Sequence, residues 1–253
     1  MVVRASAVLG ARAVTALVLL AALVLYWQFA PDLPGVRMWG DVAFVAFLVF
    51  PAMFALVRLA LPLRSLLGPW HLAFATLTFA VLSVAFSLAD LEILANFAKL
   101  AGATAAGWWF LLFFEASWWV VLVALLIVPV DLYSVARGPT REITTERPEV
   151  FDALSVFIRY PGERATGNLG LPDVLFFALF LGATVRFGLR TLLTWALMTL
   201  SFGATLALAV ALDEAGVAAL PLLSAAFVLA NADLLWRSIR GRRAEEPRAT
   251  PPS

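Results

Sequence analysis

Long runs of apolar residues, separated by short polar breaks, recur from one end of the chain to the other. Eight are long enough to be read as bilayer-crossing helices: residues 13–30, 42–57, 72–89, 94–114, 117–136, 171–187, 191–212 and 218–236. Pro51 falls inside the second run and Lys99 inside the fourth. Taken as one helix, 94–136 would extend roughly 65 Å at about 1.5 Å per residue. A hydrocarbon slab is only ~30 Å thick, so a tight turn is predicted at Glu115. The first run follows Arg4 and Arg12 without a clear small-residue cleavage site, and it reads as a retained helix rather than a signal peptide. One long hydrophilic stretch, 137–170, holds five arginines and five acids. The tail from Gly241 onward is rich in Arg, Glu and Pro and reads as disordered. The pattern divides the chain into helices 1–4 (1–115), helices 5–8 with their loop (116–237) and a tail (238–253).

Composition fixes the class. With 63% hydrophobic residues, 14% charged residues and a mean hydropathy of +0.94, the chain has far more apolar surface than a soluble domain can hide. The expected fold class is an all-α polytopic membrane protein with eight or nine transmembrane helices. A net charge of +1 argues against a nucleic-acid partner. There is no cysteine, hence no thiol chemistry, and a lone histidine, His71, makes a zinc site improbable. No cofactor is expected. Arginine supplies every basic residue except Lys99, and alanine is abundant, which fits a GC-rich prokaryote and its plasma membrane. With the N-terminus inside, eleven basic residues fall in inner segments and six in outer ones, five of those in the charge-balanced loop. Both termini are therefore expected to be cytoplasmic, and the 137–170 loop external.

Against this background two acids stand out. Asp131 interrupts the apolar run of the fifth helix, and Asp173 lies near the start of the sixth. A carboxylate within the hydrocarbon slab costs roughly 2.5–3.5 kcal/mol on insertion scales, and such residues mark function more often than structure. The loop joins the ends of the two helices that carry them, so both acids are predicted within one or two turns of the same interface. Two carboxylates sharing a site hold one proton between them. Such a pair can activate a water as general base while its protonated member donates to a carbonyl, which hydrolyses a peptide without metal or covalent nucleophile. The bland reading of Asp173 is an acid in a first helical turn beside Pro172; Asp131 has no comparable local account.

Other polar residues have simpler readings. Trp108, Trp109, Trp118 and Trp119 flank Glu115 as interfacial anchors. His71 sits at a helix entrance. Lys99, with Asn96 one turn before it, reads as interior packing or a snorkelling side chain. Asp233 precedes Arg237 by four residues, the spacing of a helical ion pair. Arg186 and Arg190 end the sixth helix.

Four segments then carry a resemblance: Asp131-Leu-Tyr-Ser-Val, Leu154-Ser-Val-Phe-Ile-Arg-Tyr-Pro161, Gly167-Asn-Leu-Gly-Leu-Pro-Asp173 and Ala218-Ala-Leu-Pro221. Their order and spacing, over about residues 117–236, resemble presenilins and signal peptide peptidases, the GxGD-type intramembrane aspartyl proteases. The resemblance implies a presenilin-like bundle in which Asp131 and Asp173 are catalytic. Gly170 would be the first GxGD glycine, Gly170-Leu171-Pro172 would lie against substrate, and Ala219-Leu220-Pro221 would be the remainder of the family's PALP motif beside the pair. The departures are Val130 for the family's aromatic, Pro172 for the second GxGD glycine and Ala218 for the first PALP proline. Proline at 172 fixes φ and removes an N–H, so an extended substrate that paired there would lose the bond. The external aspartate loop resembles the orientation of signal peptide peptidases. The implied partners are transmembrane or signal-peptide substrates in a lipid bilayer.

The implied function is intramembrane endoproteolysis. Prepilin peptidases share the GxGD aspartate but would not supply Ala-Leu-Pro near the last helix. The alternatives are an inactive or altered homologue serving as a membrane scaffold, for which Pro172 would speak, and a proton-coupled transporter, which should show polar groups across the full depth of the bundle.

Overall fold

The structure, a computed structural model, describes residues 2–35, 37–137, 148–163, 166–214 and 217–245. The chain forms α1 (Val2–Phe29), α2 (Met38–Leu66), α3 (Pro69–Leu88), α4 (Glu92–Phe110), α5 (Ser117–Arg137), the short α6 (Pro148–Ala153), a hairpin of β1 (Ser155–Arg159) and β2 (Thr166–Gly170), then α7 (Leu171–Arg186), α8 (Thr191–Leu212) and α9 (Leu220–Glu245). Among the described residues, eight long helices overlap the eight apolar runs. Six of them are long and apolar enough to cross a membrane: α1, α2, α3, α5, α8 and α9. This is a helical membrane protein. The other two long helices differ for physical reasons. At 16 residues α7 is shorter than an ordinary span, and α4 is diluted by Glu92, Asn96, Lys99 and glycines.

Helix ends follow local chemistry. Pro69 and Pro172 sit in the first turns of α3 and α7, where a missing N–H costs nothing. After Phe110 a 3-10 turn (Leu111–Phe113) leads through Glu115 to α5, the break expected from the length of the 94–136 run. A π-helical turn, Val45–Val49, lies within α2. α9 continues through Glu245, four residues past the Gly241 at which the sequence suggested disorder.

The short helix α7 is the centre of the bundle. Its residues from Phe177 to Thr184 are buried almost completely, packed by α2, α4, α8 and α9. Phe54, Phe177 and Phe202 stack across α2, α7 and α8, with Phe54 4.0 Å from Phe177 and 4.9 Å from Phe202 between ring centroids. Offset aromatic contacts of this kind add about 0.5–1.5 kcal/mol each beyond burial. α4 comes close because Gly107 faces the carbonyl of Leu175, where any Cβ would collide. Protein on all sides is why α7 need not be long enough to meet both membrane surfaces.

The hairpin was not among the expected elements. Residues read as part of a hydrophilic loop form an antiparallel pair with Ser155 opposite Gly170 and Phe157 opposite Asn168. Among the described residues the class is helical with this one β element, and the strand β2 runs straight into α7.

Candidate active site

The hairpin is held by side chains that arrive from helices far away in sequence. Asn96 on α4, 2% exposed, bonds Phe157 twice: its amide accepts from the Phe157 N–H at 2.8 Å and donates to the Phe157 carbonyl at 3.0 Å. An amide side chain thus acts as a one-residue strand partner. Trp27 Nε1 donates to the same carbonyl at 3.2 Å, and the Tyr26 hydroxyl to the Arg159 carbonyl at 2.5 Å. Lys99 Nζ donates to the carbonyls of Ser155, at 3.1 Å, and Asp152, at 2.5 Å. Lys99 and Asn96 thus have a specific task that neither snorkelling nor generic packing describes. The signal available in sequence was an amide and an ammonium one turn apart in an otherwise apolar helix.

These bonds define which way the strands face. The Leu171 N–H bonds the Leu154 carbonyl at 2.9 Å, extending the ladder by one pair. Leu154 and Leu171, Val156 and Leu169, and Ile158 and Gly167 are therefore the hydrogen-bonded pairs. Ser155, Phe157 and Arg159 turn their backbone groups outward on β1, toward the helices. Thr166, Asn168 and Gly170 turn theirs outward on β2. Among the described residues, none bonds the outward backbone groups of Thr166 or Asn168.

At the end of that open edge stands Asp173. It lies in the first turn of α7 and accepts a hydrogen bond from the Gly170 N–H. The geometry is that of an N-terminal acid reaching back to the residue before its helix. Gly170 has φ −59° and ψ 142°, an ordinary extended conformation. Its glycine is needed for space instead: a Cβ there would sit 3.1 Å from Asp173 Oδ2. Leu171 opens the helix, and Pro172 is its exposed second residue, so its missing N–H removes no helical bond.

Asp131 comes from α5, six residues before that helix ends. Pro129, inside α5, leaves the carbonyl of Leu125 without its usual partner two residues before the acid. Asp131 Oδ2 accepts from the Leu220 N–H at 3.0 Å, the first residue of α9. Ala219 and Leu220 are buried there and Pro221 is partly buried. Asp131 and Asp173 are close enough for their charges to repel, and both are only partly buried. Two carboxylates from two helices thus lie near each other beside a strand edge that is unpaired among the described residues, each oriented by one backbone N–H.

The remaining sequence readings resolve as follows. Asp233 pairs with Arg190 rather than Arg237: Arg190 Nη1 and Nη2 reach its two oxygens at 2.6 and 2.8 Å, because that face of α9 turns toward the start of α8. Arg186 ends α7 and donates to the Leu111 carbonyl at 2.7 Å. His71 is exposed in the first turn of α3. No group of three or more His, Cys, Asp or Glu residues able to hold a metal occurs among the described residues. Part of the hydrophilic loop, 138–147 with 164 and 165, and the tail residues 246–253 lie outside the described residues. Set against known proteins, the chain matches no family model and no curated protein.

Proposed function

We propose that the protein is an intramembrane aspartyl endopeptidase of the presenilin and signal peptide peptidase type, cutting peptide bonds within transmembrane helices. The observation that carries this reading is the closeness of Asp131 and Asp173 beside a strand edge that is unpaired among the described residues, with the Leu220 N–H of Ala219-Leu220-Pro221 bonded to Asp131. In the reaction a water lies between the carboxylates. The ionised one takes a proton from it as its oxygen attacks the scissile carbonyl carbon, and the protonated one donates to the carbonyl oxygen. The tetrahedral diol then collapses: the aspartate that took the water's proton gives it to the amine nitrogen, the C–N bond breaks, and the other aspartate takes back the proton of one diol hydroxyl as the carboxyl group forms.

A helical substrate hides its carbonyls in its own hydrogen bonds. It must unwind first, and an extended segment can add as a strand along Thr166 and Asn168. Gly170 and Leu171 would hand that segment to the dyad. Pro172 lies in the first turn of α7, where its missing N–H breaks no helical bond, and the N–H groups of Thr166 and Asn168 are untouched by it.

Eight crossings with the hairpin outside put both termini in the cytoplasm of a prokaryotic cell. Substrates would then be helices whose own N-terminus is cytoplasmic, signal peptides among them. A C-terminal reporter that proves external would reverse the orientation without touching the chemistry. A transporter is the weaker reading, since three buried hydroxyls bond carbonyls of their own helices: Thr104 to Leu100, Ser201 to Met198 and Thr205 to Ser201. They form no chain of polar groups across the bundle.

The test is cleavage of a labelled signal-peptide-like helix by the liposome-reconstituted protein, beside Asp131→Asn and Asp173→Asn. The wild type should cut, and each variant should lose at least about a hundredfold in rate. Variants that cut like the wild type, or a wild type inert on a panel of such helices, would sink the reading.

A further inference from the structure

Side chains alternate along the hairpin, so its two faces differ. Phe157, Arg159, Thr166 and Asn168 lie on one face, where Thr166 and Asn168 are exposed. Val156, Ile158 and Leu169 lie on the other and are buried. Gly167 belongs to the buried face and adds no side chain to it. Tyr160, the residue after β1, reaches across to it instead. A Cβ at Gly167 would stand 2.6 Å from Tyr160 Oη and 3.2 Å from its Cζ. The phenol therefore crosses from β1 to β2 and ends, hydroxyl first, over the strand whose outer edge is unpaired among the described residues.

The hairpin itself makes no use of that hydroxyl. Tyr26 spends its own on the Arg159 carbonyl, whereas Tyr160 Oη has no hydrogen-bond partner among the described residues, and Tyr160 is partly exposed. The unpartnered oxygens sealed inside the bundle, Thr199 Oγ1 and Ser224 Oγ among them, do not include it. An extended peptide added along β2 bonds the outward groups of Thr166 and Asn168. One of its residues then stands opposite Gly167 in a non-hydrogen-bonded pair, the kind in which side chains come closer. Opposite residues share a face, with Cβ atoms about 4.5–5.5 Å apart. The side chain of that residue therefore points to the face on which Tyr160 Oη stands. A hydroxyl one bond beyond its Cβ comes within reach of the phenol. A methyl in the same place leaves the phenol without a partner beside Val156, Ile158 and Leu169, which is unfavourable once the peptide has displaced water.

We propose that Tyr160 sets substrate specificity: its hydroxyl bonds a serine or threonine side chain at the substrate residue opposite Gly167 and selects it over an apolar residue of equal shape. This selectivity presupposes the peptide cleavage proposed above and adds the residue type that the open edge prefers. Gly167 precedes Asp173 by six residues. With strand positions matched one to one, the selected residue lies roughly four to six residues from the scissile bond, on one side of it.

The test uses the liposome-reconstituted full chain and a labelled model transmembrane helix whose cleavage site is mapped by mass spectrometry. Valine and threonine, both β-branched and alike in helix propensity, are then exchanged at each position around the cut. At one position, threonine should raise kcat/KM about five- to tenfold over valine, the worth of one hydrogen bond. Tyr160→Phe should erase that ratio by bringing the threonine helix down to the valine one. Gly167→Ala, whose Cβ pushes the hydroxyl aside, should erase it too, and Tyr26→Phe should keep it. A wild type that cuts both helices equally at every position would overturn the assignment, as would a ratio that survives Tyr160→Phe. If Tyr160→Phe slows both helices alike and leaves the ratio intact, the hydroxyl supports the hairpin and reads no substrate. A wild type that cuts none of the helices sinks the protease reading itself, and the assignment with it.

Discussion

The two edges of the hairpin are built from the same two strands yet meet opposite surroundings. Along β1, the outward groups of Ser155, Phe157 and Arg159 meet Lys99, Asn96, Trp27 and Tyr26, side chains from α1 and α4. Along β2, the outward backbone groups of Thr166 and Asn168 have no hydrogen-bond partner among the described residues. An unpaired edge invites another strand, and proteins usually blunt or cover it. Here one edge is covered with side chains from two helices while the other, among the described residues, is left unpaired beside two carboxylates. The difference separates a fixed part from a receptive one. The closed edge makes the hairpin a rigid element in the resting protein, and the open edge is the side on which an extended peptide can complete the sheet.

The comparison breaks most severely at Asn96. Asn96→Leu keeps the volume and removes both halves of the amide bridge, leaving the Phe157 N–H buried without a partner and its carbonyl with Trp27 alone. Orphaned buried groups cost about 1–3 kcal/mol each, so a loss of about 2–4 kcal/mol is expected. It should be visible as faster hydrogen exchange and protease nicking in 155–170, and peptide cleavage should fall with it. Asn96→Asp keeps the acceptor for the N–H and should lose about half as much. Unchanged exchange at Phe157 in Asn96→Leu would mean that the closed edge is not held from α4.

Much of the helical layout was legible in the sequence, because in a bilayer an uncharged apolar run has few alternatives to a helix. The turn at Glu115 followed from length alone, and the meeting of Asp131 with Asp173 followed from the loop that joins their helices. What escaped was anything fixed by partners distant in sequence. Thr166-Gly-Asn-Leu-Gly170 carries little strand propensity, and its partner β1 is stabilised from Asn96, 61 residues away, and Trp27, 130 residues away. No local pattern contains that. Asp233 shows the same limit at smaller scale, for an i,i+4 spacing to Arg237 was available and a bidentate partner on the next helix won. Pro172 shows the converse. Read from the family motif it looked like damage, yet in place it occupies a helical first turn that proline fits.

A sharper probe acts on the open edge. Asn168→Pro deletes the one N–H at the middle of that edge and leaves the β1 bonds alone, since those belong to Leu169 and Gly167; proline is tolerated on strand edges. Asn168→Ala is the control, because the Asn168 side chain also bonds Asp152 Oδ1 at 3.0 Å. Both variants should fold. Only the proline should raise KM for a peptide substrate, about five- to tenfold, the worth of one hydrogen bond of ~1 kcal/mol, with kcat little changed. Equal effects from the two variants would show that the edge is not a docking strand.

The smallest effect is expected at the far end of the closed edge. Tyr26→Phe removes only the hydroxyl that donates to the Arg159 carbonyl, and that carbonyl lies where the hairpin approaches its turn. Water can replace the lost donor at a partly buried site, so the cost should stay near 0.5–1 kcal/mol. The ring contacts of Tyr26 with Trp27 and Phe44, at 5.4 and 5.5 Å, survive the change. Exchange should quicken at Ile158 and Gly167, the last hydrogen-bonded pair before the turn, while Val156 and Leu169 stay as protected as before. A loss spread evenly over both pairs would mean that the closed edge is held as a single unit rather than tie by tie, and Asn96 would then not be its main support.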